Sequence, residues 1–185
     1  MSLDHPLVML LMIGLSAWCF WYWFRDLRSP PKSGRPFPGA TRASRRLLIA
    51  AVFGSLYFLT VDLIGQHQFG LLSGGAEISV LAGLFLLAWS FLEELALRGY
   101  LVVEKRGAGM LIFSIIGYSL LVGLFVGETP FGKGVGFMTS MWYFALRFCR
   151  WNPERSLLPS IVAHVVISMG LIVTKALQGK ISGLW

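Results

Sequence analysis

The chain is poor in charged residues, which form only 14% of its 185 residues, whereas an average soluble domain has roughly 25%. Hydrophobic residues make up 56%, and the mean hydropathy is +0.69. One water-facing core cannot bury that much apolar surface, so the composition argues against an ordinary soluble domain.

Acidic residues and cysteines are also scarce. Nine acidic residues stand against 16 basic ones, giving a formal charge of +7. The basic residues lie mostly in three short blocks between apolar runs, which is the pattern of membrane topology rather than of a nucleic-acid-binding face. Cys19 and Cys149 have neither metal-ligand spacing nor the number needed for a disulfide framework, so we interpret both as free thiols.

Several motifs of intramembrane enzymes are missing. The chain has no H-E-x-x-H zinc helix, no G-x-S-G serine motif and no aspartate pair within its apolar runs. Asp62 and His67 both fall near the end of an apolar run, where water is available, and we interpret them as solvated. These absences argue against the zinc, serine and aspartyl types of intramembrane protease.

Six apolar runs approach the length of about 20 residues that a membrane-spanning helix needs. They predict an all-α, polytopic membrane bundle that forms a single domain over 1–185. The first run resembles a signal peptide. However, the residues before it include Asp4 and no basic residue, and no cleavage site follows it, so we expect a retained helix. The runs lie near residues 6–24, 47–65, 77–102, 109–127, 134–150 and 157–177.

The basic blocks predict the orientation. The 25–46 linker is rich in arginine, proline and glycine, and smaller basic blocks follow the third run and the fifth run. The loops on the other side hold little that is basic beyond Lys133 and Lys180. By the positive-inside rule, we expect the 25–46 loop in the cytoplasm and both termini outside, in a bacterial inner or plasma membrane.

The third run contains three ionisable residues, although a charge at the bilayer centre costs at least ~2.5–3.5 kcal/mol. Ser90, Glu94 and Arg98 follow one another at intervals of four, so they share one helix face, and Glu94 can pair with Arg98. Glu93 points about 100° away from that face. The residues alone leave two interpretations open: a site for proton transfer, or a packing pair with Glu93 bonded to a neighbouring helix.

The last run carries a second polar face, formed by Ser160, His164 and Ser168 at the same spacing of four. His164 lies about seven residues into its helix, roughly 10 Å from the end at helical rise. Glu93 lies at a similar depth in its own helix. Matching depth favours a shared site, although a lone histidine in such a helix is often a packing residue.

The segment E-E-L-A-L-R-G-Y-L, which begins at Glu93, resembles the E-E-x-x-x-R-G motif of the CPBP family of intramembrane endopeptidases, also called the ABI or CAAX-protease family. The resemblance covers roughly residues 77–172. It implies that Glu93 activates water, that Glu94 and Arg98 shape the site, and that His164 lies on the oxyanion side.

The chain departs from that family in two places. Its middle F-x-x-x-H motif has no counterpart, since no histidine occurs between His67 and His164, and Gly127 stands at about the expected position. Tyr118 lies nearer the membrane depth of Glu93 than any acidic residue in this part of the chain does. Ser168 replaces the asparagine of the H-x-x-x-N motif, and its hydroxyl can still donate a hydrogen bond.

The leading hypothesis is therefore an endopeptidase that cleaves a membrane-inserted or lipidated segment, with Glu93 as base and with His164 and Ser168 stabilising the oxyanion. We expect no metal or other cofactor, a membrane protein or peptide as substrate, and no nucleic-acid partner. A catalytically inactive relative that binds membrane partners is the alternative, and a small proton-coupled transporter is a third hypothesis.

Overall fold

The computed structural model describes residues 43–68, 78–95, 108–126, 129–153 and 155–183. Toward the N-terminus it also describes five single residues, all helical: Leu10, Ile13, Gly14, Ala17 and Trp21. The rest of the first predicted helix, the 25–42 part of the basic loop, and Arg98 lie outside the described residues.

The described part of the chain is built from helices and one pair of two-residue strands, so the all-α fold class is confirmed. Each of the five later apolar runs contains a helix. The elements are α1 (Arg45–Gln68), β1 (Ile78–Ser79), α2 (Val80–Glu93), α3 (Ala108–Val126), α4 (Pro130–Phe148), α5 (Leu158–Leu177) and β2 (Ile181–Ser182).

Side-chain caps explain where three of the helices begin. The hydroxyls of Ser44, Ser79 and Thr129 each accept a hydrogen bond from a backbone N–H three residues later, at 3.0–3.2 Å. After Thr129, Pro130 occupies the first turn of α4, where its fixed φ suits a helix start. This helix therefore begins four residues before the start at 134 that the apolar run predicts.

The helices pack around two apolar clusters. Leu47 and Ala51 of α1 meet Tyr143 and Leu146 of α4 and Ala163 of α5 in the first. The second lies at the end of α2, where Leu95 packs against Leu157 and Ile161. The starts of α1 and α5, the end of α2 and the end of α4 thus lie at one end of the bundle, which we call the site end.

A short parallel pairing ties the opposite end together. Ile78 lies opposite Ile181, and the backbone N–H of Val80 donates to the Gly183 carbonyl at 3.2 Å. The chain turns back after α5 at Gly179, whose φ of +65° is readily available only to glycine. This pairing joins the start of α2 to the segment after α5, so it limits sliding of one helix along the other.

Much of the apolar surface faces outward. Among the described residues, two segments are long and apolar enough to cross a membrane, Arg45–Gly65 within α1 and Leu158–Leu177, and only 22% of each apolar window is buried. A core helix of a soluble protein would be mostly buried. Two shorter apolar helical segments, Val80–Glu93 and Ile112–Leu124, are also present in the described part of the chain.

α3 and α4 pack as an antiparallel pair, and glycine permits their close approach. A Cβ at Gly123 would lie 2.6 Å from the Lys133 carbonyl oxygen, a backbone atom that cannot rotate away. Farther along the same contact, Ser119 donates a buried hydrogen bond to Ser140 at 3.1 Å. Small residues at such crossings let helix backbones approach in membranes.

Gly123→Ala is therefore expected to destabilise the protein by about 1–3 kcal/mol through overpacking. Gly117→Ala is the matched control, because it lies on α3 with no atom within 4 Å of its added Cβ. The control should be neutral or stabilising by up to about 1 kcal/mol from helix propensity. Unfolding of the purified variants in detergent measures both effects; equal stability of the two would show that α3 and α4 do not approach this closely.

Candidate active site

Two pairs of polar side chains join the antiparallel helices α2 and α5. We call the two pairs together the polar ladder and each pair a rung. At the inner rung the Ser90 and Ser168 hydroxyl oxygens lie 2.6 Å apart. Because Ser90 donates to the Leu86 carbonyl at 2.7 Å, Ser168 is the donor between the two serines. At the outer rung, His164 Nδ1 lies 3.0 Å from Glu94 Oε1. The four-residue spacing on both helices places both rungs on the shared face.

The hydrogen-bonding pattern of α2 changes at its end, where Glu94 lies. α2 is α-helical as far as Glu93 and continues through Glu94 and Leu95 as a π-type turn, in which Glu94 itself keeps helical angles, φ −62° and ψ −44°. Turns of this kind occur frequently at functional sites because they alter the direction of a side chain within a helix. Here the turn coincides with the carboxylate that meets His164.

Glu94 is completely buried, and the side chain of His164 is 13% exposed. A buried carboxylate is expensive unless it is hydrogen-bonded, and the imidazole supplies a bond to one of its oxygens. If Nδ1 carries the proton donated to Glu94, Nε2 is left to act as an acceptor in the neutral ring or a donor in the charged ring. Glu94 thus sets the orientation of the ring, and where Nδ1 is the donor it also sets the tautomer.

The imidazole is also held by an aromatic ring. Tyr143 of α4 stacks on His164 with ring centroids 4.7 Å apart and an interplanar angle of 21°. Tyr143 is itself buried in the first apolar cluster. Stacking fixes the plane of the imidazole, while the bond to Glu94 fixes its rotation within that plane.

Glu93, which is also buried, contacts a different partner. The indole Nε1 of Trp89, one turn earlier on α2, donates a hydrogen bond to Glu93 Oε2 at 3.1 Å. A donated N–H holds a carboxylate in one orientation and stabilises its negative charge. The two adjacent acids therefore have separate supports, Trp89 for Glu93 and His164 for Glu94.

The three ionisable side chains nevertheless form one cluster. One candidate ligand atom each from Glu93, Glu94 and His164 lies within 4.8 Å of the others. Two carboxylates and an imidazole at this spacing are able to exchange protons with a shared water molecule. The same oxygen and nitrogen donors are also among those that bind Zn²⁺, so a cation could be held there as well.

The structure brings together three of the six residues predicted for the site: Glu93, Glu94 and His164. Ser168 lies one rung deeper, with its hydroxyl on Ser90. Tyr118 packs edge-on against Phe144 with centroids 6.0 Å apart. Arg98 and its predicted pairing with Glu94 lie outside the described residues, as does Gly127 at the missing-histidine position.

Two supporting residues were not predicted from the sequence. Trp89 precedes Glu93 by four residues, a spacing that places both side chains on one face of a helix. The sequence therefore contained a signal for this contact, but Trp89 is surrounded by apolar residues and is easily interpreted as one of them. Tyr143 has no such signal, because its stacking on His164 depends on how α4 packs against α5.

No protein-family model matches the chain, and no match was found among the curated proteins or the solved structures.

Proposed function

We propose that the protein is an intramembrane endopeptidase that uses carboxylate-activated water. The observation that supports this best is the buried cluster of Glu93, Glu94 and His164, whose ligand atoms lie within 4.8 Å of one another. Burying two acids side by side is costly, and ionisable groups retained in an apolar bundle are commonly functional. The resemblance of the 93–101 segment to the CPBP motif supports the same reaction class.

In this proposal the chain crosses a membrane six times. The outward-facing apolar surfaces support membrane insertion, since the two candidate spans are only 22% buried within the protein. The 25–46 loop lies in the cytoplasm, both termini lie outside, and the membrane is a bacterial inner or plasma membrane. The substrate is a membrane-inserted or lipidated protein segment cleaved near the cytoplasmic face.

Glu93 acts as the general base in this mechanism. Its carboxylate takes a proton from water as the water oxygen bonds to the scissile carbonyl carbon. The proton then passes to the leaving amine as the carbon–nitrogen bond breaks. Trp89 keeps the carboxylate oriented through its bond to Oε2.

His164 stabilises the oxyanion through Nε2 while Glu94 holds Nδ1. Nε2 donates to the oxyanion in the state in which it carries a proton. We assign Ser168 to the ladder rather than to the oxyanion because its hydroxyl already donates to Ser90. No step requires a metal, so a chelator should leave cleavage unchanged. Loss of cleavage with a chelator, and recovery with Zn²⁺, would instead place a cation among the three ligands.

The test compares the N-termini of membrane proteins in cells that carry the wild-type chain and in cells that carry Glu93→Gln. New N-termini should appear only with the wild type. A catalytically inactive protein that binds membrane partners is the second candidate, favoured by the absence of a histidine in the middle motif. That protein would give identical N-termini in both cells.

The orientation has its own prediction. With both native cysteines replaced by serine, Ser33→Cys in the basic loop should react with an impermeant maleimide only after the cells are permeabilised. Gly183→Cys, at the end of the bundle opposite the site, should react in intact cells. The reverse pattern would place the basic loop outside and the site near the outer face.

A further inference from the structure

The loop that connects α4 to α5 is organised by the buried side chain of Asn152. Asn152 is 3% exposed, and its Nδ2 donates to the carbonyls of Leu146 at 3.0 Å and Ser156 at 2.8 Å. Its Oδ1 accepts from the Ser156 N–H at 2.9 Å. One amide thus ties the end of α4 to the start of α5 and fixes the loop.

The backbone of the loop is held in an uncommon conformation. Arg155 has a φ of +51°, the only positive value for a non-glycine residue in the described part of the chain. Its N–H donates to the Asn152 carbonyl at 2.9 Å, which closes the turn. An L-residue rarely adopts this conformation without surrounding support, and such sites often have a functional purpose.

The fixed loop presents two exposed arginines backed by aromatic rings. The Arg150 guanidinium lies 5.6 Å from the centroid of Trp151, which is 63% exposed. The Arg155 guanidinium lies 5.8 Å from the centroid of Phe148. Rings beneath the guanidinium groups limit their motion.

This surface lies at the site end of the bundle, beside the start of α1. Cys149 packs against the first apolar cluster, which includes Leu47 of α1, and the neighbouring Arg45 and Arg46 are exposed. Four exposed arginines therefore lie at one end of the bundle. Glu154, the acidic residue of this loop, lies outside the described residues.

We propose that the loop between α4 and α5 binds the phosphate headgroup of an anionic phospholipid at the membrane surface on the site end. Arg150 and Arg155 donate to the phosphate oxygens, and Trp151 lies at the level of the headgroups, where amphipathic indole rings accumulate. The inference rests on the membrane placement in the proposed function, but it requires no catalysis.

The experiment measures binding of phosphatidylglycerol and of phosphatidylcholine to the purified full-length protein in detergent, by native mass spectrometry. Wild type should prefer phosphatidylglycerol. Arg150→Gln combined with Arg155→Gln should weaken that binding roughly 10- to 30-fold. The matched control removes two positive charges at the other end, Lys175→Gln with Lys180→Gln, and should retain wild-type binding.

A third variant separates a built site from general charge attraction. Asn152→Ala keeps every arginine but removes the bonds that fix the loop, so it too should lose the preference for phosphatidylglycerol. Full binding by Asn152→Ala, or equal losses in the two charge-removal pairs, would overturn the proposal. Its folding is checked by its unfolding temperature, and if it does not fold, the arginine and lysine pairs decide the matter.

Two further arms identify the ligand and separate this inference from the protease proposal. Inorganic phosphate at millimolar concentration should not displace the lipid; displacement would indicate a site for free phosphate instead. Glu93→Gln should bind phosphatidylglycerol like the wild type. Lipid preference without proteolysis would remove only the protease proposal, whereas proteolysis without lipid preference would remove only this one.

Discussion

Glu93→Gln is expected to reduce cleavage of the membrane substrate by about 10²–10⁴-fold, the usual cost of losing a general base. Glutamine keeps the size of the side chain, and its amide oxygen can still accept the bond from Trp89. It cannot take a proton from water. The variant should fold as well as the wild type, because the substitution removes a charge that is costly to bury.

The measurement is the rate at which a precursor found by N-terminal sequencing disappears from the membrane fraction, with the abundance of each variant checked in parallel. Ser119→Ala is the matched control, since it removes a buried polar group of the α3–α4 contact away from the cluster. That control should keep its activity. Normal cleavage by Glu93→Gln at normal abundance would exclude Glu93 as the base and favour the non-catalytic interpretation.

The second large effect is expected on stability. His164→Ala removes one hydrogen-bonding partner of the completely buried Glu94 carboxylate, and breaking a buried charged pair typically costs about 3–5 kcal/mol. Glu94→Gln should cost less, because an amide oxygen can still bond Nδ1. In a double-mutant cycle of Glu94→Ala and His164→Ala, we expect a coupling of about 1.5–3 kcal/mol.

Reversible unfolding in mixed micelles measures these free energies. Ser168→Ala, one turn farther along the same face of α5, is the control for loss of a buried bond between neutral groups, and it should cost only about 1 kcal/mol. Coupling between Glu94 and His164 that is indistinguishable from zero would mean that the 3.0 Å contact does not form. The ladder would then have only its serine rung.

The positions of the helices were largely predictable from the sequence. The apolar runs at 109–127 and 157–177 each lie within one residue of the observed helix ends, because an uninterrupted apolar run of this length leaves the backbone few alternatives to a helix. The start of α4 was placed too late. The Thr129–Pro130 capping signal fixes where this helix begins, whereas the apolar run begins only after Lys133.

The two polar faces were also predictable, but their partners were not. A spacing of four placed Ser90 with Glu94, and His164 with Ser168, on single helix faces. The sequence predicted a pairing of Glu94 with Arg98, which lies outside the described residues, and a site shared by Glu93 and His164. The structure places Glu94 against His164 and Glu93 against Trp89.

The sequence by itself determined which segments are helical, which face of each is polar, and that acids and a histidine lie at similar depths. These properties depend on the helical repeat and on the free energy of burying apolar residues, and both act along a single segment. The tertiary structure alone decided which acid meets the imidazole. That choice depends on how far α2 rotates about its axis when it packs on α5, and one residue changes the direction by about 100°. The strand pairing Ile78–Ile181, the π-type turn at Glu94 and the stacking of Tyr143 on His164 are contacts and geometry that the period of the sequence does not encode.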